Sequence, residues 1–249
     1  MKLPIKIITS LIIAFTLSAC GPGLVSLPDD PHNEPASTLP DEDNSSAGVI
    51  EEPSDGNDVG ENPLPPLSER EQILSMYNYL DPNHIVPTTA LEDAVIYFHQ
   101  NKASFKNQNV ISIIDYRKRS SEKRWFFIDL KTGAVNALHV SHGKGSDSNH
   151  DGYAEKFSNV SGSNATSIGF YKTAETYNGS NGYSLRLDGL SSTNSRARSR
   201  AIVVHGANYV QDQNVVQGRS WGCPAVSQAN HRSVIDRIKG GSLIFAVGN

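Results

Sequence analysis

Apolar residues along residues 67–249 follow a helical period first and a strand period later. From Leu67 to Leu80, and again from Thr88 to Phe98, they recur at the spacing of one helix face. Pro82 is expected to end the first segment, and Thr88 or Thr89 to cap the second. The pattern therefore predicts a short helical portion at the start of the folded region.

From Asn109 onward the pattern is that of strands, with β-branched and aromatic residues in short runs. We expect mainly antiparallel pairing because the runs follow one another closely. One more helix is predicted, capped by Ser227 and running through Ile238 to Gly240 and Gly241. The fold class is mainly β, a sandwich or barrel of mixed sheets with one helix near the C-terminus. The predicted strands are 110–116, 125–130, 135–140, 168–171, 183–188, 201–204 and 243–247.

The N-terminus has the pattern of an export signal. Lys2 and Lys6 precede an apolar run over residues 7–17 that is too short to span a membrane comfortably. The run ends in Leu17-Ser18-Ala19-Cys20, which resembles the lipobox of bacterial lipoproteins. The resemblance implies removal of residues 1–19, acylation of Cys20 and a lipid anchor in the membrane. The alternative is an ordinary signal peptide with a chance cysteine.

The residue after Cys20 is Gly21 and not an aspartate. In this respect the sequence resembles lipoproteins that are sent to the outer membrane. We therefore expect an exported, lipid-anchored protein on the outer membrane, facing the periplasm.

Residues 21–66 contain eleven acidic residues and nine prolines, with no lysine or arginine. Such a segment buries too little apolar surface to offset its ordering entropy. We interpret residues 20–66 as the lipidated cysteine and a disordered acidic tether. Residues 67–249 then form the folded domain, which carries 20 basic and 15 acidic residues. This small positive excess suits an anionic cell-wall polymer or an ordinary surface, and it does not predict nucleic-acid binding.

Candidate chemistry is concentrated in Gly218–Pro224, where Cys223 is the one cysteine whose thiol is expected to stay free after N-terminal processing and acylation of Cys20. Upstream, the apolar run 201–204 leads into His205 and Gly206. A thiol becomes a nucleophile when a nearby imidazole takes its proton. We therefore predict Cys223 as nucleophile and His205 as base. The alternative is an inert buried thiol with a hydrogen-bonded core histidine.

Residues around the cysteine are expected to support it. Gly222 and Cys223 amides are candidates for an oxyanion hole, and Ser220 for steadying the loop. Arg186 and Asp188 share a polar strand face, either as a structural ion pair or with the arginine binding a carboxylate. Histidines 139, 142 and 150 lie in or near loops and are candidate metal ligands. Because no cysteine accompanies them, the pattern favours surface or hydrogen-bonding roles over a metal site. We expect no metal and no cofactor.

Several blocks, in this order, resemble a divergent branch of the murein L,D-transpeptidase (YkuD-type) catalytic domain family. The resemblance covers about residues 85–247 and implies that family's mainly β fold. It also implies a thioester on Cys223, His205 as base, loop support from Gly206, and peptidoglycan stem peptides as substrate. The blocks are Val140–Gly145, Thr166–Tyr171, Tyr183–Asp188, His205–Ala207 and Gly218–Val226.

One position departs from the family pattern. The family usually has an arginine two residues after the cysteine, where this chain has Ala225. Arg219 or Arg186 is a candidate to replace that guanidinium. The substrate-binding candidates are Arg219, Arg186, Asp188, Trp221 and Tyr209.

Two classes of function follow from these residues. The first is a cysteine acyl-transferase that passes a stem tetrapeptide to a second stem's amine, to a protein lysine, or to water as an L,D-carboxypeptidase. The second is a non-catalytic lipoprotein that binds the cell wall with the same groove. The sequence leaves the acceptor open.

Overall fold

The computed structural model describes residues 66–249. The signal peptide, the lipidated Cys20 and the acidic tether lie outside these residues and stay predictions. Within residues 66–249, no helix is long and apolar enough to cross a membrane.

The described residues form three α-helices and eight strands, with two single 3-10 turns. The helices are α1 (Glu69–Met76), α2 (Thr88–Gln100) and α3 (His231–Ile238). The strands are β1 (Val110–Asp115), β2 (Trp125–Asp129), β3 (Val135–Leu138), β4 (Gly169–Gly179), β5 (Gly182–Gly189), β6 (Val203–Ala207), β7 (Ala225–Ser227) and β8 (Leu243–Val247).

All eight strands lie in one mixed sheet in the order β3-β2-β1-β8-β4-β5-β6-β7. Strands β1 and β8 pair in parallel, as do β6 and β7, and the other pairs are antiparallel. The predicted mainly β fold is confirmed, and the expected antiparallel pairing holds for all but these two pairs. The helix after the nucleophile and the helical N-terminal portion are present as well.

Strands β1 and β2 are buried on both faces over almost their whole length, which explains their largely apolar sequences. In β1, Ile111 and Ile113 pack with residues of α1 and α2, whereas Val110 and Ile114 pack with residues of α3. Successive side chains of a strand point to opposite faces. The sheet is therefore covered by α1 and α2 on one side and by α3 on the other.

Two predicted helix starts are wrong. Thr88 is the first helical residue of α2 and Pro87 precedes it, without a side-chain cap on either threonine. Ser227 ends strand β7 opposite Ala207, and its hydroxyl donates to Asp212 at 2.8 Å. Helix α3 begins four residues later, at His231. Ser227, which the local pattern assigned to a helix cap, pairs with β6 in the sheet instead.

The first helix is shorter than its apolar pattern suggests. It begins after a capping box, in which the Ser68 hydroxyl and the Glu71 carboxylate each satisfy the other residue's backbone amide. It ends at Met76 rather than at Leu80, and a turn follows.

Candidate active site

The segment that carries Cys223 is fastened to the loop after β3. Residues Gly143 and Ser220 form a parallel bridge, and the Ser220 amide donates to the His142 carbonyl at 2.9 Å. The Ser220 hydroxyl donates to the Cys223 carbonyl at 2.7 Å and accepts from the Gly222 amide at 3.1 Å. Ser220 therefore closes the tight turn that carries the cysteine.

Residue Gly222 has a backbone angle φ of +120°. A Cβ atom there would lie 2.8 Å from the Ala165 carbonyl oxygen. Glycine is needed on both counts, because other residues rarely adopt this angle and have no room here. In this structure the Gly222 amide donates to the Ser220 hydroxyl, and its role as an oxyanion donor stays a prediction. The Cys223 amide donates to no acceptor within residues 66–249.

The Cys223 thiol is partly buried. It donates to the Ala201 carbonyl at 3.6 Å. Burial raises the pKa of Cys223, while the Val203 amide and the positive charge of Arg200 act to lower it. The thiol is therefore protonated at rest and needs a base.

His205 lies in the middle of β6, directly opposite Ala225 of β7. Its Nδ1 donates to the Gly206 carbonyl at 3.0 Å, which leaves Nε2 as the unprotonated nitrogen of the neutral ring. The side chain is 5% exposed, and burial lowers the pKa of His205. A neutral imidazole with a free lone pair is the form that a general base requires.

The thiol and the imidazole open into one cleft of about 660 Å³. In the part of the chain that the structure describes, no hydrogen bond joins them, because the thiol is turned toward Ala201. The thiol proton is therefore directed at the Ala201 carbonyl and not at His205 in this structure. The two residues reach the cleft from parallel neighbours, β6 and the entry to β7, which fixes their relative position in the sheet.

Three of the predicted substrate-binding residues, Arg219, Trp221 and Tyr209, line the cleft. Trp221 is 74% exposed, with the Lys144 ammonium 5.9 Å from the centre of its ring. Burial raises the pKa of the Tyr209 hydroxyl to about 12, so this group stays a neutral hydrogen-bonding partner. The Arg219 guanidinium donates to the carbonyls of Asp147 and Ser148.

The other two predicted residues do not line the cleft. Arg186 pairs with Glu175 at 3.1 Å and stacks on the Tyr177 ring at 4.3 Å. Asp188 instead pairs with Arg198. They therefore belong to structural ion pairs on the β4–β5 side of the sheet, though not with each other. Tyr177 itself lines the cleft, so Arg186 reaches it only through that ring.

A fully buried chain of polar side chains lies beneath the cysteine segment. The Arg124 guanidinium donates to His142 Nδ1 at 2.7 Å and to the Val140 carbonyl. The other ring nitrogen of His142 faces Asp147 Oδ2 at 3.0 Å. Because arginine only donates, the His142 proton must lie on Nε2, between the ring and the carboxylate. An arginine and an aspartate are thus joined through a neutral imidazole.

The hydrogen-bonded side chains of Arg124, His142 and Asp147 support the site through the backbone, since the His142 carbonyl accepts a hydrogen bond from the Ser220 amide. Burial, and then the nearby charge of Arg124, lowers the pKa of His142 to about 4. Burial also lowers the pKa of Arg124, to about 10. The three loop histidines serve separate hydrogen bonds, with His139 on Asn214 and His150 on the Gln217 carbonyl. Within residues 66–249, no group of three potential ligands is placed to hold a metal ion.

The sequence profile of the L,D-transpeptidase catalytic domain matches residues 82–247. The chain belongs to this family. No protein of curated function matches it.

Solved structures similar to this L,D-transpeptidase domain share little sequence with it. L,D-transpeptidase 1 of Mycobacterium tuberculosis is 18% identical, with a TM-score of 0.32 over 56% of this chain and 62% of that protein. An L,D-transpeptidase of Mycobacterium smegmatis is 16% identical, with a TM-score of 0.36 over 56% and 59%. The helical cell shape determining protein Pgp2 of Campylobacter jejuni is 10% identical, with a TM-score of 0.37 over 65% and 56%. This chain thus spans about three fifths of the length of the mycobacterial proteins.

In this L,D-transpeptidase domain the position of the missing arginine, Ala225, is fully buried beside His205. Arg200 lines the same cleft as Cys223, and its positive charge acts to lower the pKa of the thiol. Sequence reasoning missed Arg200 and named Arg219 and Arg186 instead. The one sequence feature that could have pointed to Arg200 is its position five residues before His205, in a segment with two other arginines.

Proposed function

We propose that this chain is a cysteine acyl-transferase that acts on peptidoglycan stem peptides. The observation that carries the proposal is the pairing of Cys223 and His205 in one cleft, with the His205 lone pair left free by the bond from Nδ1 to Gly206. Membership of the L,D-transpeptidase family supports the choice of substrate.

The reaction begins from a neutral pair, because burial raises the pKa of Cys223 and lowers that of His205. The thiol rotates from Ala201, gives its proton to His205 Nε2, and the sulfur attacks the carbonyl that joins an L-centre to the next D-residue. The Cys223 amide has no acceptor within residues 66–249, which supports its assignment as a donor to the oxyanion.

Collapse of the tetrahedral intermediate breaks the peptide C–N bond. His205 returns its proton to the leaving amine, and the acyl group stays on sulfur as a thioester. An acceptor amine then attacks the thioester and loses a proton to His205, and the sulfur leaves and regains its proton from the imidazolium. Water as acceptor gives carboxypeptidase activity by the same steps.

We further propose that the protein acts from a lipid anchor at Cys20, on the periplasmic face of the outer membrane. The lipobox-like sequence and the acidic tether of residues 20–66 support this location.

Mass spectrometry of purified stem tetrapeptides, incubated with the full-length protein, tests the function. A cross-linked dimer indicates transfer to a stem amine, and a free tripeptide indicates hydrolysis. The Cys223→Ala variant is the matched control and should give neither product. Binding of the peptides without any product from the wild-type protein would favour the non-catalytic wall-binding alternative.

A further inference from the structure

The cleft around Cys223 is lined by positive side chains and by no acidic ones. Arg200 and Arg219 are its charged residues; the remaining lining side chains are neutral or, for His205 and Cys223, held neutral at rest by burial. A cleft with one sign of charge attracts ligands of the opposite sign. The full lining is Tyr177, Ser180, Asn181, Arg200, Ala201, Val203, His205, Tyr209, Arg219, Ser220, Trp221 and Cys223.

Arg200 is held rigidly by neutral acceptors. Its guanidinium donates to the Ser158 carbonyl and the Ala165 carbonyl, each at 2.6 Å, and to the Ser163 hydroxyl at 3.3 Å. These three acceptors belong to the long loop between β3 and β4. The loop therefore fixes the side chain in place before any substrate arrives, so little conformational entropy is lost on binding.

No carboxylate within residues 66–249 pairs with Arg200. Its neighbour Arg198, two residues earlier, is bound by both Asp188 and Glu175. The three hydrogen bonds of Arg200 also leave its Nε–H and one Nη1–H without an acceptor in the described part of the chain. A half-buried guanidinium with neutral partners keeps its full charge available for a ligand.

The backbone places Arg200 next to the residue that the Cys223 thiol contacts. Ala201, the next residue, has a left-handed φ of +54° and receives the Cys223 thiol on its carbonyl. Left-handed alanine is strained and persists where surrounding contacts impose it. The residue that carries the guanidinium is thus the chain neighbour of the residue that the thiol contacts, and both line the cleft.

We propose that Arg200 recognises the carboxylate of the residue that leaves the acyl donor, so that donors ending in a free carboxylate are selected. This inference rests on the proposed function. In such a donor the carboxylate is separated from the scissile carbonyl only by the amide nitrogen and one carbon, so it must lie close to Cys223 during attack. Arg200 lines the same cleft as the thiol, and its charge acts to lower the pKa of Cys223.

A pair of alkylating reagents tests the charge without any peptide. Iodoacetate carries a carboxylate, and iodoacetamide is its neutral counterpart; both alkylate only the thiolate. Their rate ratio on Cys223 cancels any change in the thiol pKa or in its accessibility. The protein is the full-length chain with Cys20→Ser, in which Cys223 is the only thiol. The same ratio on glutathione gives the reference.

We expect the iodoacetate-to-iodoacetamide ratio to exceed the glutathione reference by roughly five- to tenfold at low salt. Arg200→Gln should return it to the reference, and Arg200→Lys, which keeps the charge, should retain part of the preference. Arg198→Gln, the same change two residues away on an arginine outside the cleft, should leave the ratio unchanged. A wild-type ratio equal to the reference would overturn the inference. If the ratio is unchanged in Arg200→Gln, or falls further in Arg219→Gln than in Arg200→Gln, the assignment of the anion site to Arg200 would be overturned.

Two tetrapeptide donors connect this site to the reaction, one ending in a carboxylate and one in a carboxamide. The wild-type protein should form the acyl-enzyme from the acid with roughly tenfold or higher kcat/KM than from the amide, and Arg200→Gln should remove the difference. Equal rates with both donors would contradict the inference and leave the proposed function intact. A high alkylation ratio without acylation by either donor would contradict the proposed function and retain the anion site.

Discussion

Acid should destabilise this protein through one buried histidine, His142. Its ring lies between Arg124 and Asp147, is 1% exposed, and has a pKa of about 4, against an ordinary value of 6.5. A histidine with a lowered folded-state pKa contributes stability that is fully present above pH 6.5. That contribution is lost as the pH falls from about 6.5 to about 4. A shift of this size corresponds to about 3 kcal/mol of unfolding free energy, at ~1.36 kcal/mol per pKa unit.

Other groups titrate in the same range, so a variant must isolate this one. His142→Gln removes the titration and keeps an amide that both accepts and donates hydrogen bonds. Urea unfolding at several pH values, followed by the fluorescence of the buried Trp125, gives the free energy of unfolding. The wild type should lose about 3 kcal/mol more than His142→Gln between pH 7 and pH 4.

The exposed His84 provides the control, because His84→Gln should keep the wild-type pH dependence. Equal pH slopes for the wild type and His142→Gln would refute the argument, since the ring would then not be held neutral by its surroundings.

Three further predictions concern the site and the anchor. His205→Ala should slow acylation of Cys223 by roughly 10²–10⁴, measured by stopped-flow or quenched mass spectrometry, while substrate still binds; an unchanged rate would exclude it as the base. Gly222→Ala should lower both stability and acylation, by roughly 1–3 kcal/mol in unfolding free energy, because its Cβ meets the Ala165 carbonyl at 2.8 Å; a variant of wild-type stability and rate would contradict this. Cys20→Ser should release the exported protein from the membrane fraction, and equal membrane retention would argue against lipidation.

The strand that the sequence predicts best is one in which every residue is apolar. Strand β8 was predicted with its observed bounds, Leu243–Val247, because both faces of this strand are packed and every residue is apolar. Strand β7 was missed, since three residues after a proline carry no recognisable period. Its pairing with β6 is a long-range contact, and this contact also explains the wrong helix cap at Ser227.

The proposed nucleophile and base could be named from the sequence because their residue types and glycine neighbours are local features. The groups that set their environment could not. Arg200 is held in position by the carbonyls of Ser158 and Ala165, which lie about forty residues away in the chain. Arg124 is completely buried, although an arginine is ordinarily expected on the surface. His142 was considered as a metal ligand, and only its two neighbours in space define it as a link between charges.

Intact-protein mass spectrometry tests the central claim most directly. The full-length protein is mixed with a tetrapeptide donor or an acylating β-lactam, quenched in acid, and mapped by peptide digestion. The wild type should gain one acyl adduct on Cys223, and Cys223→Ala should gain none while keeping its unfolding midpoint, because the change removes little packing in a loop. Cys223→Ser should be nearly inactive, since a hydroxyl ionises far less readily than a thiol. An adduct of the same mass on Cys223→Ala would show that another residue is the nucleophile.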